Sequence, residues 1–250
     1  MSFVSSVQSL LTFTGESSLL LADASRKLLR RPLERREVVS QMAFVGVNSV
    51  PIVALTTFFS GSVLALYTAD VLVRYGATSL AGGTIGLSVT REIAPVLAGI
   101  MVAARCGSAM AAQIGTMQVT EQVDALRALN VDPVQYLVVP RLIASVIMVP
   151  VLTMVGMYAG IIGGYLVSIQ NGVAAGAFMN SIKQFVEPSD FVGGLVKALA
   201  FGLIIAIVSA QQGLRTKDGA VGVGRSTTGA VVISMILIYV ANFFLTSLLY

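Results

Sequence analysis

Hydrophobic and polar positions fall into long blocks along this chain. Three stretches carry no Asp, Glu, Lys or Arg: Val38 to Ala69, Leu142 to Ile182, and Ser226 to Tyr250. Each exceeds the roughly 20 apolar residues that a membrane-spanning helix needs. Together with the shorter apolar runs between them, they predict an all-α polytopic membrane protein with about five transmembrane helices, near 42–66, 80–104, 138–167, 193–212 and 227–249. Ahead of the first span, Phe3, Val7, Leu10, Leu11 and Phe13 stand among Ser and Gln and suggest one apolar helical face. The basic run Arg26, Lys27, Arg30, Arg31, Arg35 and Arg36 follows. Residues 1–37 therefore read as an amphipathic interfacial helix with a basic cytoplasmic segment, and 38–250 as the membrane domain. The first 31 residues lack the early positive charge and cleavage site of a signal peptide.

Charge settles the expected orientation. The N-terminal segment holds six Lys and Arg, the loop from Arg105 to Arg141 three, and the loop from Arg215 to Arg225 three more. The alternate connections hold only Arg74 and Lys183. Twelve against two places the N-terminus in the cytoplasm and, after five crossings, the C-terminus outside. In the third span Gly156, Gly160 and Gly164 recur every four residues, a pattern that lets helix backbones approach closely in lipid. No inverted repeat relates the two halves, which argues against that transporter design.

Composition narrows the chemistry. The chain is 56% hydrophobic and 11% charged, less than half the charge of a soluble domain. It contains no His and one Cys, Cys106, which excludes a Ser/His/Asp triad, a His-ligated metal and an internal disulfide. No metal, cofactor or nucleic-acid partner is expected. Gly219 to Ser226 has the spacing of a phosphate loop, but Arg225 stands where lysine belongs and no buried strand precedes it. Any energy from ATP must come through another chain.

Charges inside a span are costly, so they usually face a cavity or a partner. Arg91 and Glu92 are the only charges between Arg74 and Arg105 and fall near the middle of the second span. Neighbours on a helix diverge by roughly 100°, so the two are not expected to face one pocket squarely. Pro95 cannot donate the hydrogen bond that the Arg91 carbonyl would accept, which predicts a kink or a free carbonyl there. An internal ion pair with another span is the competing reading. Lys197, at the start of the fourth span, has the length to snorkel to the outer interface. Tyr75, beside Arg74 at the outer mouth, fits an aromatic belt. In the middle loop, Val123, Leu126 and Leu129 fall at helical spacing while Glu121, Asp124 and Arg127 point elsewhere, which predicts a short amphipathic helix stopped near Pro133.

Three strings resemble one family together. They are Thr90-Arg91-Glu92-Ile93-Ala94-Pro95-Val96-Leu97, then Ala104-Arg105-Cys106-Gly107-Ser108-Ala109, then Ile114-Gly115-Thr116-Met117 running into Thr120-Glu121-Gln122-Val123-Asp124-Ala125-Leu126. This pattern strongly resembles the MlaE (YrbE-like) permease family. The likeness continues through Gly222, Arg225, Thr227 and Thr228 to Asn242-Phe243 and Leu245-Thr246, so it covers the chain after its N-terminal helix. The resemblance implies a non-catalytic ABC transporter permease that moves phospholipids or related lipids between envelope membranes. It implies a homodimer, with ABC ATPase subunits below and an MCE-domain lipid-binding protein on the far side. It also makes the 121–129 helix a cytoplasmic coupling helix, with Glu121, Gln122, Asp124 and Arg127 meeting the ATPase. Arg91, Glu92, Tyr75 and Lys197 become candidates for the substrate pathway. One departure is Gln113, where many relatives carry Glu, which removes the basis for a salt bridge from that position. The absence of a transit-like start favours a bacterial inner membrane. An ion-coupled secondary transporter using Glu92 as its proton site is the alternative. A Ser/Lys protease built on Lys197 lacks a serine placed by spacing.

Overall fold

The computed structural model describes residues 3–30 and 35–250, with side chains described for 11–28 and 35–250. Phe3, Val7, Leu10 and Arg30 as side chains, and Arg31 altogether, lie outside the described residues. Helix accounts for 91% of the described residues and no strand occurs among them, as the block pattern predicts. The order is α1 (Phe3–Arg30), α2 (Arg35–Val45), α3 (Val50–Arg74), α4 (Ala81–Ser88), α5 (Ala94–Val102), α6 (Ser108–Val119), α7 (Gln122–Ala128), α8 (Val139–Gln170), α9 (Ala175–Phe185), α10 (Pro188–Leu214) and α11 (Gly219–Leu249). Turns of π-helix, Val89–Ile93 and Ala103–Gly107, join α4 to α5 and α5 to α6; a third, Val134–Val138, leads into α8.

Among the described residues, five continuous stretches are long and apolar enough to cross a membrane: Arg35–Arg74, Thr78–Val119, Val134–Gln170, Pro188–Leu214 and Gly219–Leu249. They outrun the predicted spans because helix continues through charges that find partners. The second was expected to end near 104, yet Arg105 donates from Nη1 to Phe44 O and Ser49 Oγ, both at 3.1 Å, and the helix runs on to Val119. The Gly222 region, suspected of mimicking a phosphate loop, lies within the first turns of α11.

Small residues seat α3 against α8. A Cβ on Gly61 would strike the carbonyl of Gly160, one on Gly160 would crowd Val89 Cγ1 at 2.8 Å, and one on Gly164 would meet Ile85 Cγ2 at 2.7 Å. The glycine row is thus a packing surface between spans. α9 is not legible in the charge-free run from Leu142 to Ile182, because only Gly172, at φ +90°, breaks that run. It lies across α4, burying Phe178 and accepting on Ser181 Oγ the Gly83 N–H at 2.8 Å.

Helix α1 forms, and it packs on the bundle through its second half. Leu20, Leu21, Ala24 and Leu28, at helical spacing, pack on Val138, Val139, Leu142, Ala206, Ile207 and Ala210, while Leu11 is 67% exposed. Polar groups at its middle and in its last turn are tied down as well. Glu16 accepts from Gln211 Nε2 at 2.9 Å and pairs with Arg215 Nε at 3.3 Å, and Lys27 pairs with Asp132 at 2.5 Å.

Candidate functional site

The site begins with a backbone defect. Pro95 has no N–H to offer, and just before it the helix widens into the π-turn Val89–Ile93. The carbonyl of Arg91 is taken instead by a side chain from α10, Lys197 Nζ, at 2.8 Å. The same ammonium donates to Glu92 Oε1 at 2.7 Å and to Thr246 Oγ1 at 2.8 Å. Its three N–H groups are therefore all used. Glu92 Oε2 accepts from Asn242 Nδ2 at 2.7 Å, so the second, fourth and fifth spans meet at one carboxylate.

Arg91 builds the neighbouring half. Its Nε and Nη2 both reach Asp190 Oδ1, at 2.8 and 2.7 Å, and its guanidinium lies 4.3 Å from the centre of the Tyr250 ring. Asp190 Oδ2 meanwhile accepts the Glu187 N–H at 2.8 Å, completing a capping box at the start of α10. Tyr250 donates its hydroxyl to the Asp190 carbonyl at 3.3 Å, in space left free by Gly193. Each ion pair has one hidden and one open member. Lys197 and Asp190 side chains are 0% and 2% exposed, whereas Glu92 and Arg91 are 39% and 36% exposed. Counting rise per residue, Lys197 lies about 14 Å in from Pro188 and Glu92 about 21 Å in from Thr78, whereas Asp190 and Tyr250 stand at the ends of α10 and α11.

Three of the four predicted pathway residues come together, and one expectation is corrected. Lys197 does not snorkel outward: saturated by three acceptors, it is fully buried. Arg91 and Glu92 do part around the helix, to Asp190 and to Lys197, and the two pairs are linked through Tyr250. Lys197, the partner of Glu92, lies 5.2 Å from the same Tyr250 ring that Arg91 covers. Tyr75 takes no part; it caps α3 and is 83% exposed. Asp190, Asn242, Thr246 and Tyr250 were not singled out as site residues. The string Glu187-Pro188-Ser189-Asp190 reads as a helix start, which hides the second task of Asp190.

The second predicted group lies at the other end of the bundle, beyond about 40 Å of helical path from Glu92 to Val119. α7 is anchored by buried Val123 and presents Glu121, Gln122, Asp124 and Arg127 to solvent. Glu121 turns the chain at φ +60°, and Asp124 accepts from Arg127 Nη1 at 2.7 Å. Leu129 was expected on the apolar face but is 74% exposed, because the helix ends at Ala128 and Asn130, at φ +59°, turns the chain before Pro133. Beyond that turn, burial favours neutral forms of both Lys27 and Asp132. Their mutual hydrogen bond outweighs this, with Asp23 aiding the lysine and the Val134 N–H the aspartate. The ammonium is held above and the carboxyl below its usual range. Gln113, the departure noted above, accepts from Arg141 Nη2 at 3.1 Å.

Five helical stretches among the described residues, long and apolar enough to cross a membrane and with a charged network set between them, define a polytopic membrane protein. The family described as Permease MlaE matches residues 38–248. A probable ABC transporter permease protein of Rickettsia felis is 46% identical over 94% of this chain and 92% of its own length. A probable ABC transporter permease protein of Synechocystis is 45% identical over 89% and 85%. The Arabidopsis chloroplastic protein TRIGALACTOSYLDIACYLGLYCEROL 1 is 38% identical over 88% of this chain and 63% of its own. The chain belongs to the MlaE permease family and is an ABC transporter permease, as the Thr90–Leu126 strings led one to expect.

Proposed function

We propose that this permease moves phospholipids or related lipids between envelope membranes, that it works as a homodimer in a bacterial inner membrane, and that the open sides of Arg91 and Glu92 line the lipid pathway. One observation carries the reading: a charged network more than a third open on its Arg91 and Glu92 side, set among apolar helices. Facing acyl chains, such charges cost several kcal/mol, roughly 2.5 to 3.5 each on insertion scales, so they face a cavity or a partner. α11 is the least buried of the five stretches, with Phe243 and Phe244 exposed beside Asn242. A second copy against this side would enclose cations for a headgroup and apolar walls for chains. The Arabidopsis relative bears the name of a lipid, which supports the same substrate class.

α7 is the seat of the ATPase subunit in this reading: Glu121, Gln122, Asp124 and Arg127 form an exposed charged surface on a helix held firmly by Val123. An MCE-domain protein would receive or deliver lipid on the far side, where α9, Tyr75 and the C-terminus lie. The N-terminus is cytoplasmic and the C-terminus outside, by the twelve-to-two distribution of Lys and Arg. The test is lipid transfer in proteoliposomes carrying the full complex, with ATP and a pH gradient varied independently. Transfer should require ATP, survive collapse of the gradient and fall in Glu92→Lys, which sets a third cation beside Arg91 and Lys197. Transfer that ignores ATP and vanishes in Glu92→Gln would restore the ion-coupled carrier, and ATP hydrolysis with no lipid moved or retained would remove the substrate class.

A further inference from the structure

At the end of the bundle that carries α7, one buried cation has no acid. Arg141, in the first turn of α8, is 6% exposed. Its Nη1 donates to Leu137 O at 2.7 Å and its Nη2 to Gln113 Oε1 at 3.1 Å, while Nε has no acceptor. Neither acceptor carries charge. Among the described residues no carboxylate stands within ion-pair distance of it. The Glu37 charge acts on it only from beyond ion-pair distance, and Glu37 itself accepts from Gln41 Nε2 at 2.9 Å. A guanidinium stays charged at any physiological pH and offers five N–H donors, so burial on two neutral acceptors leaves Nε without an acceptor and the charge with no carboxylate in contact. That condition is costly, and an anion would relieve it.

There is room for one. Arg141 lines a hollow of about 500 Å³ together with Ala112, Gln113, Thr116, Met117 and Gln122. The rim has hydroxyl and amide groups from Thr116, Gln113 and Gln122 and no acid to repel an anion. Depth points to the source of the anion. The spanning stretch Val134–Gln170 has 37 residues, about 55 Å of helix, so centred on a core of about 30 Å it projects about 13 Å at each end. Arg141 enters about 10 Å from that end, at the level of headgroups rather than acyl chains.

We propose that this hollow binds the phosphate of an anionic lipid in the leaflet on the α7 side. Arg141 supplies the charge, Gln113, Thr116 and Gln122 the hydrogen bonds, and Met117 with Ala112 an apolar wall for the glycerol. The site is separate from the Arg91–Lys197 network and stands whichever lipid the transporter carries. It places a lipid headgroup against the first residue of α7, so lipid composition on that side would act on the helix that meets the ATPase.

The test uses the whole permease in nanodiscs of phosphatidylcholine with rising fractions of phosphatidylglycerol, read by thermal midpoint and by lipid retained in native mass spectrometry. Wild type should gain stability as phosphatidylglycerol rises and retain it. Gln113→Glu keeps Arg141 and sets a carboxylate where the amide oxygen now lies 3.1 Å from Nη2, filling the guanidinium from within. The phosphatidylglycerol fraction needed for half the rise should then increase at least about tenfold, since a charge-assisted contact is lost. In phosphatidylcholine alone this variant should be the more stable of the two. Arg141→Met should lose the response as well; if it fails to fold, Gln113→Glu decides alone. An undiminished phosphatidylglycerol response in Gln113→Glu overturns the proposal. So does an equal response of wild type to inorganic phosphate in phosphatidylcholine discs, which would mean a free ion. Unchanged lipid retention with weakened ATPase binding would assign Arg141 to an acid of that partner, and would overturn it too.

Discussion

Lys197 and Arg127 each meet a carboxylate at 2.7 Å, yet one side chain is wholly buried and the other 62% exposed. The contacts are alike in length and unlike in consequence. In the bundle, Lys197 has no water to return to, so its three acceptors are obligatory and the pair links three spans. On α7 the Asp124–Arg127 pair competes with solvent, contributes little to the fold and leaves its charges readable by another protein. Buried pairs here organise helices, and exposed pairs advertise a surface.

Removing one partner of the buried pair is the severest way to probe this contrast. Lys197→Met should cost about 3 to 5 kcal/mol by leaving Glu92 uncompensated, seen as a large fall in thermal midpoint. Lys197→Met with Glu92→Leu should recover much of it. A single variant as stable as wild type would break the comparison. Asp190→Asn should cost about 2 kcal/mol, because it strips Arg91 of its acid while an amide keeps only part of the cap.

The α1 clasp sits between the two extremes, with Lys27 and Asp132 side chains about a fifth exposed. Lys27→Met should cost about 1 kcal/mol at most, read as faster amide exchange in α1. The pH dependence follows from the two shifts. Asp132 is depressed, so its contribution is present above the usual carboxyl value and fades as pH falls through its lowered one, below about pH 4. Lys27 is raised, so its share persists through neutrality and is lost only above about pH 10.4. Amide exchange in α1 should accelerate in acid in the wild type and show a weaker acid step in Lys27→Met. The smallest effect on folding belongs to α7. Glu121→Lys and Asp124→Lys should shift stability by no more than about 0.5 kcal/mol while uncoupling ATP hydrolysis from transport. Normal ATPase binding and lipid-stimulated turnover in both would remove α7 from the coupling role.

Much of the molecule is legible in its residues taken alone. Charge-free blocks of more than 20 residues determine that the chain is helical and crosses a membrane, because unsatisfied backbone cannot survive in hydrocarbon. The Gly156, Gly160 and Gly164 row announces close helix packing, Pro95 announces the freed carbonyl of Arg91, and the strings from Thr90 to Leu126 carry the family. What local pattern could not supply is which charges meet. Lys197 lies 105 positions from Glu92, and Asp190 lies 99 from Arg91. From its own helix, Lys197 has the length to reach water, and only the acceptors brought by α5's π-turn and by α11 turn it inward. Arg141 is the same lesson in reverse: its helix start is plain in Pro140, but that it is buried, reaching Gln113 across 28 positions with no acid in contact, is decided by the tertiary packing. Span, helix and family follow from near-neighbour chemistry, whereas pairing depends on contacts between distant helices, which tertiary packing alone creates.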